Sequence, residues 1–531
     1  MLHFEEKLKT ETPAQIWDEY CGFLDLSLNE YMDIQKRLLT EQIDLLSKCG
    51  LGQRFFKGQV PKTVDEFRKM VPLTKYEDYA DILLLKRDDM LPAPPVVWLS
   101  TTWESGNKPQ KWAPYSEAML DIYRTNIIAA MILSTSSEKG KFFVRPGFKA
   151  LYTLAPLPYA TGLFPDLIDA EIKFNFLPPL NEARNMSFSQ QGKEGFKMAL
   201  CQGMDMFFGM TSIIHSLGQS FAASSGGGIS LKNLSKISPV MLYRLMRAKY
   251  ISQRDNRPIK PSDLFTLQGL VCVGTDTELF KNDLEEAWGR RPLEVMGGTE
   301  PSCMATETWS KDGLVFFPDT CFYEFIPEQE MLKSLDDPSY EPQTYLMDEI
   351  SANENYEIVL TLLKGGSFVR YRVGDVFRCV RLKNPKDGLD FPQFQYVDRI
   401  PSVIDIAGFT RITENSINTV IQMANLDIHN WVALKKYDEN KRSYMQMYIE
   451  LGEQGERTPL ACSNVLREHL SVYFKYHDTD YKDLKHMLGI EPLSVTLLPR
   501  GTMQRFEEKF ERKIRKINPS RQDEIELLRL K

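Results

Sequence analysis

The chain has 531 residues, 43% apolar and 26% charged, enough for more than one buried core and too apolar for a disordered protein. A net charge of −7 speaks against a general nucleic-acid surface, and the longest apolar run, 127–133, falls far short of the roughly 20 residues that span a bilayer. Eight singly scattered cysteines, with no Cys-x-x-Cys and no histidine cluster, read as reduced core thiols rather than a disulfide frame or a zinc site. The start, Met-Leu-His-Phe-Glu-Glu-Lys, lacks the basic and then apolar pattern of a signal peptide, so a cytoplasmic location is expected.

In chain order, residues 1–95 predict helices. Apolar residues recur three and four apart over 34–46. Pro61-Lys-Thr-Val-Asp-Glu-Phe opens a further helix, with Thr63 as its cap and Asp65 and Glu66 in its first turn. Pro92-Ala-Pro-Pro ends the helical region, and an apolar strand leads into Ser100. From there to about residue 400, apolar runs at 150–154, 270–273 and 293–296 predict strands, and 279–288 predicts a helix. That alternation predicts sheets covered by helices. Later runs at 314–317, 322–326, 357–362, 376–380 and 393–397 follow one another more directly and predict an antiparallel, barrel-like annex. Ser224-Ser-Gly-Gly-Gly-Ile reads as a loop.

After Asp398-Arg-Ile-Pro the pattern changes. Helices expected at 413–425, 460–472 and 481–488, with strands at 431–434, 445–451 and 493–498, predict a separate α+β module. The basic residues of 509–516 are offset by Glu507, Glu508 and Glu511 and read as a solvated helix face. The fold class is therefore α/β. A large N-terminal domain of helix-covered sheets spans 1–398, and a smaller mobile α+β cap spans 399–531.

Four short stretches carry chemistry. Ser100-Thr-Thr-Trp-Glu-Ser-Gly-Asn-Lys-Pro-Gln-Lys offers the hydroxyls of Ser100, Thr101, Thr102 and Ser105, one glycine and two lysines. Amides and hydroxyls of such a loop can wrap phosphate oxygens, which Lys108 or Lys111 can neutralise; an ordinary polar surface loop looks the same. It is not a Walker loop, because no Gly-Lys-Ser/Thr opens the next helix. Gly297-Gly-Thr-Glu sets Thr299 beside Glu300, a pairing suited to a phosphate oxygen and Mg²⁺, or to a plain turn after a strand. Arg370-Tyr-Arg-Val-Gly-Asp puts Asp375 just past an expected tight turn. There an ionised carboxylate can accept from both hydroxyls of a ribose, or cap its own turn. Asp398-Arg399, with Ala407-Gly-Phe-Thr-Arg-Ile-Thr-Glu beyond it, is the fourth, or else a surface ion pair at a domain edge. Each is weak alone. In this order they describe a site that holds ATP and a carboxylic acid for adenylation.

The set resembles the acyl-adenylate-forming superfamily of acyl-CoA synthetases, luciferases and peptide-synthetase adenylation domains. The resemblance implies that the loop from Ser100 cradles triphosphate. It implies that Tyr159, in Leu154-Ala-Pro-Leu-Pro-Tyr-Ala-Thr-Gly, is an aromatic gate beside the acyl carboxylate. Gly274 and Thr275 would lie along the adenine, and Gly297 and Gly298 would let backbone approach adenine and α-phosphate. Thr299 would bond the α-phosphate, Glu300 hold Mg²⁺ and Asp375 the ribose, with Arg399 near the ribose or phosphates. Lys111, Thr299, Glu300 and Arg399 form the implied catalytic set.

Within the superfamily the chain is similar to the plant auxin-responsive acyl-acid amido synthetases and their bacterial relatives. Three segments carry this: Phe67-Arg-Lys-Met-Val-Pro-Leu-Thr-Lys-Tyr, Phe317-Pro-Asp-Thr-Cys-Phe-Tyr-Glu-Phe-Ile-Pro and Leu498-Pro-Arg-Gly-Thr-Met-Gln-Arg-Phe. The implied function is ATP-dependent activation of a carboxylic acid and transfer to an amino acid, with coenzyme A as the rival acceptor. It also implies that the C-terminal domain rotates about the linker 399–402 between half-reactions. Trp103 stands at the family's first glycine position, Glu104 at a hydroxyl position and Pro109 where a lysine is usual. The superfamily's terminal Pro-x-x-x-x-Gly-Lys has no recognisable counterpart, leaving Arg500, Arg505, Lys513 and Lys516 as cations. These departures keep a catalytically weakened nucleotide-binding homologue as the alternative.

Overall fold

The computed structural model describes the chain except residues 1, 102–109, 187, 224–236, 409, 479–480, 483 and 486–488. The Ser224 glycine loop and part of the helix expected at 481–488 lie outside the described residues. Two compact units divide the chain, one ending at Val397 and the other running from Asp398 to Lys531.

The first unit opens with helices. Leu28–Ser47 is capped reciprocally by Ser27 and Glu30 and buries Tyr31, Leu38, Leu39 and Leu46. Two buried glutamines on it bond to backbone instead of packing. Gln35 donates to Cys321 O at 2.7 Å, while Gln42 donates to Gly366 O and accepts from Gly365 N, both at 2.8 Å. Thr63 caps Val64–Met70 as expected, accepting from Glu66 N at 3.1 Å.

Strands β1 (Val97–Thr101) and β2 (Lys111–Tyr115) form a two-stranded antiparallel ribbon. The remaining strands of this unit share one sheet of eleven. Its parallel half contains β3 (Lys149–Thr153), β4 (Asn175–Leu177), β5 (Met206–Met210), β6 (Gly269–Val273) and β7 (Leu293–Gly298), ordered β7-β6-β5-β3-β4. These strands are almost wholly buried, as strands covered on both faces must be. Helix Glu117–Thr135 is buried on all sides from Asn126 onward and packs across β6 and the next strand, β8 (Ser302–Glu307). Helices Thr211–Ala223 and Thr277–Trp288 pack together over Leu151, Phe207, Leu270 and Cys272.

The later strands close no barrel among the described residues. Strands β8, β9 (Leu314–Phe316), β10 (Cys321–Pro327), β11 (Asn355–Leu362), β12 (Tyr371–Arg381) and β13 (Gln393–Arg399) continue the same sheet, ordered β8-β9-β13-β12-β11-β10. The reason is local. Residues 299–301 turn β8 back antiparallel on β7, so the new strands inherit its open edge.

The second unit carries a ribbon of β14 (Val403–Ile406) and β15 (Thr410–Thr413) and a three-stranded sheet of β16 (Ile428–Tyr437), β17 (Ser443–Leu451) and β18 (Leu493–Leu497). The sheet is covered on both faces, and the period of two sorts its side chains. Trp431 and Ala433 join one cluster with Met447, Leu466 and Leu470. Val432 and Leu434 join the other with Tyr448, Phe506 and Leu527. The basic stretch 509–516 departs from the expected helix face. Its helix, Thr502–Phe510, stops where Glu511 turns left-handed (φ 54°), and the half-buried Lys516 then lies 5.2 Å over the Trp431 ring.

A buried charge cluster lies under the parallel half. Lys281 Nζ is 2.7 Å from Glu307, 3.3 Å from Glu294 and 2.5 Å from Glu278. Burial works against the ammonium, but Glu307 and Glu294 outweigh it and raise the lysine. Burial, with Glu307 adding to it, pushes Glu294 up to about 8 despite Lys281. Replacing Lys281 by Met strands these carboxylates, and the expected cost is about 3–5 kcal/mol by urea denaturation. Glu294 also sets a pH slope. Below its ordinary 4.5 both states hold the proton; between there and about 8 the unfolded chain releases it first, so stability falls as pH rises through that window and then levels. The slope should flatten in Glu294→Gln.

Candidate active site

The β1–β2 ribbon presents the first site residues. Thr101 faces Lys111 across the ribbon, and Ser100 faces Trp112. The backbone N–H of Ser100 donates to Pro158 O at 2.8 Å, which ties β1 to the segment bearing Tyr159. The Ser100 hydroxyl is fully buried and has no hydrogen-bond partner among the described residues. Thr102 and Ser105, with Trp103, Glu104 and Lys108, lie outside the described residues. Lys111 is held over the Tyr76 ring at 5.2 Å, and Tyr76 itself grips the next residue. Trp112 N donates to the Tyr76 hydroxyl (2.6 Å), which donates on to Trp112 O (3.1 Å). Burial pushes the Tyr76 phenol up, so it stays a neutral hydrogen-bonding group.

From β7 the chain passes through Gly297, Gly298, Thr299 and Glu300 into β8. Only glycine fits at 297, because a Cβ there would sit 1.8 Å from Ser302 O. Gly297 is exposed and Thr299 half-buried, whereas Glu300 points inward and is buried. Tyr115, the last residue of β2, donates its hydroxyl to Thr299 O at 2.7 Å, with Glu300 O at 3.2 Å. Burial raises this phenol as well. The Glu300 carboxylate accepts from the Tyr371 hydroxyl at 3.0 Å, and Lys111 Nζ donates to that same hydroxyl at 3.0 Å. Between Lys111 and Glu300 themselves the gap is 3.9 Å. A cation, a phenol and a carboxylate, up to 260 residues apart in sequence, therefore form one hydrogen-bonded chain, half-buried at Lys111 and buried at Tyr371 and Glu300.

Asp375 is not past a tight turn, as its sequence suggested, but inside strand β12 at a bulge. Arg372 pairs with Val359 and Val376 with Glu357, so four steps on β12 face two on β11. Gly374 takes φ 84° within this bulge, a backbone that glycine allows cheaply. The bulge re-aims Asp375, which is buried and accepts from the Tyr396 hydroxyl at 3.4 Å. Arg372 braces one side with a two-pronged bond to Glu357, at 2.9 and 2.6 Å.

Tyr159 is half-buried and begins a short turn, its carbonyl accepting from Gly162 N at 2.9 Å. Gly162 must be glycine, since a Cβ would meet Leu157 N at 2.2 Å. At the end of β6, Gly274 (φ 139°) and the half-buried Thr275 form a turn laced by hydroxyls. Thr211 donates to Val273 O at 3.2 Å and contacts Thr277 at 2.7 Å, and Thr277 donates to Gly274 O at 3.1 Å. In the second unit, Arg399 is half-buried with its Nε 3.7 Å from Asp405. There Arg505 donates to Leu530 O and closes the last helices on one another.

Of the sequence-derived residues, the structure brings Lys111, Thr299 and Glu300 together and puts Asp375 on the strand that also supplies Tyr371. Tyr371, Tyr115, Tyr76 and Tyr396 were not singled out as site residues. The signal available was that Tyr371 opens the Asp375 motif and that Tyr76 closes the segment from Phe67. Gly274 and Gly297–Gly298 end parallel strands, and ligands bind beyond the carboxyl ends of such strands.

Comparison with known proteins matches two segments of the chain and its fold. Residues 22–153 match the GH3 family N-terminal domain, and residues 314–399 match the GH3 family central domain. No protein of curated function matches the sequence. In fold the chain is similar to the AtGH3.15 acyl acid amido synthetase in complex with 2,4-DB, at 16% identity and a TM-score of 0.54, over 98% of this chain and 96% of that one. It is similar also to 2-hydroxyisobutyryl-CoA ligase in complex with 2-HIB-AMP and CoA, at 15% identity and a TM-score of 0.57, over 90% and 87%. Two segments of the chain thus match GH3 family domain models, N-terminal and central in that order, within a fold shared with an acyl acid amido synthetase and a CoA ligase.

Proposed function

We propose that this chain is an ATP-dependent ligase that activates a carboxylic acid as its acyl-adenylate and passes the acyl group to an amino acid. The observation that carries this reading is the Lys111–Tyr371–Glu300 chain beside Thr299, with Asp375 four residues along the same strand. A cation, a hydroxyl and a carboxylate suit the polyphosphate end of a nucleotide, and a buried aspartate at the other end suits its ribose.

In the first half-reaction a carboxylate oxygen of the acid attacks the α-phosphorus, the bond to the β-phosphate oxygen breaks, and pyrophosphate leaves. Lys111 neutralises negative charge there, and Thr299 donates to an α-phosphate oxygen. Asp375 accepts from the ribose hydroxyls, and backbone at Gly274, Thr275, Gly297 and Gly298 runs along the base. Tyr159 borders the acyl carboxylate. In the second half-reaction the amine nitrogen attacks the acyl carbon, AMP departs and the amine releases a proton. Fixed groups aimed at developing charge supply most of such a rate enhancement. The unit from Asp398 acts as the cap that turns between the two halves, bringing Arg399 to the nucleotide.

Mg²⁺ fits the donor set: Glu300 is a buried carboxylate next to the Thr299 hydroxyl, and Mg²⁺ prefers one or two carboxylates together with substrate phosphates. When bound it would supply charge neutralisation at the phosphates. Coenzyme A is the alternative acceptor, and a protein that binds nucleotide without reacting is the alternative class.

Exchange of labelled pyrophosphate into ATP, across a panel of carboxylic acids, decides first. Acid-dependent exchange is expected; none with any acid would sink the ligase reading, and amino acids or coenzyme A added afterwards identify the acceptor. Asp375→Ala should weaken ATP binding by roughly tenfold or more, because each bond to a charged group contributes about 1.5–3 kcal/mol. Unchanged affinity by calorimetry would exclude Asp375 from the ribose site. Glu300→Gln keeps size but loses charge, so exchange should fall and recover in part as Mg²⁺ is raised; a magnesium dependence like the wild type's would return Glu300 to a purely structural role.

A further inference from the structure

We propose that Tyr371 is a positioning residue, a phenol that bridges Lys111 and Glu300 and fixes where each points; this rests on the nucleotide site proposed above. Its hydroxyl has one proton and spends it on Glu300, and it accepts from the Lys111 ammonium, so both of its hydrogen-bonding roles are filled. The direct Lys111–Glu300 distance of 3.9 Å is too long for a hydrogen bond. The phenol therefore hydrogen-bonds both members of a loose ion pair and is the hydrogen-bonded link between them.

The ring is fixed to do this. Its centroid is 4.7 Å from Phe368 and 6.2 Å from Tyr79, and the side chain is fully buried. Backbone holds it from both sides: Thr74 N donates to Arg370 O and Arg372 N to Thr74 O, each at 2.9 Å. The lysine ammonium has a second contact, 5.2 Å over the Tyr76 ring. Tyr371 therefore keeps Lys111 directed to the polyphosphate and Glu300 to its cation, and touches neither ligand itself.

The test measures calorimetric binding of AMP alone and of ATP with Mg²⁺ to the full chain, as wild type, Tyr371→Phe, Lys111→Ala and the double variant. AMP carries the ribose and base but no polyphosphate. Tyr371→Phe should keep AMP affinity within about twofold and lose roughly ten- to hundredfold for ATP with Mg²⁺. In the Lys111→Ala background the same change should cost clearly less, because one of the two groups that the phenol joins is already gone and only its bond to Glu300 remains to be lost. The inference is overturned if Tyr371→Phe binds ATP with Mg²⁺ as the wild type does. It is equally overturned if the variant loses AMP and ATP alike, or if its effect is undiminished beside Lys111→Ala. A wild type that binds neither nucleotide would instead remove the nucleotide site, and this inference with it.

Discussion

The site depends on one buried ion pair, Arg370 with Glu324. The guanidinium grips the carboxylate through Nε at 3.0 Å and Nη2 at 2.8 Å and donates to Val71 O at 2.6 Å. Glu324 lies on β10, Val71 just past the helix Val64–Met70, and Arg370 immediately before β12. One side chain therefore ties the helical N-terminal region, the far edge of the sheet and the start of the strand that bears Tyr371 and Asp375. Arg370 itself sits at φ 46°, a left-handed backbone that costs a non-glycine residue energy and persists only when its surroundings over-determine it. Here they do: the Thr361 hydroxyl accepts from its amide, and its carbonyl accepts from Thr74.

Downstream of that clamp, the site is assembled by neutral phenols that direct a few charges. Tyr76 fixes β2 beside Lys111, Tyr115 fixes the carbonyl of Thr299, and Tyr396 reaches Asp375. Tyrosine suits this task because its ring packs like core while its hydroxyl both gives and takes a hydrogen bond. Burial keeps Tyr76 and Tyr115 protonated, so neither adds a competing negative charge at the proposed phosphate site. The glycines have the complementary task. At Gly297 there is no room for any side chain, and the exposed backbone is what a flat base or a phosphate can approach.

How much of this was legible in the sequence follows the range of the interactions. The Thr63 cap and the strands expected near 150–154, 270–273, 293–296, 431–434, 445–451 and 493–498 are set by spacing over a few residues, and they stand where the pattern put them. The barrel-like annex was misjudged because strand order is a matter of pairing: β13 lies between β9 and β12, and no local pattern encodes that insertion. Asp375 was read past a turn because Val-Gly-Asp resembles one. Only pairing with β11 reveals that Gly374 makes a bulge. The role of Tyr371 was hidden for a similar reason, its partners lying 71 and 260 residues away. The basic stretch at 509–516 misled through composition, which cannot register that Glu511 ends the helix.

The departures Trp103 and Glu104 in the phosphate-loop stretch weigh less once Lys111 is located. A lysine within a loop would depend on that loop's conformation. Lys111 instead opens β2, is paired across the ribbon to Thr101, and is held by Tyr76 and Tyr371. Groups carried on rigid elements keep their geometry better than groups carried on loops. The cation of the proposed site is thus set by the strand, and the sequence between Thr101 and Lys111 can vary without moving it. That separation favours an active ligase over a weakened homologue, because the loop sequence departs from the pattern while Lys111, Tyr371 and Glu300 stay hydrogen-bonded to one another and Asp375 is held by Tyr396.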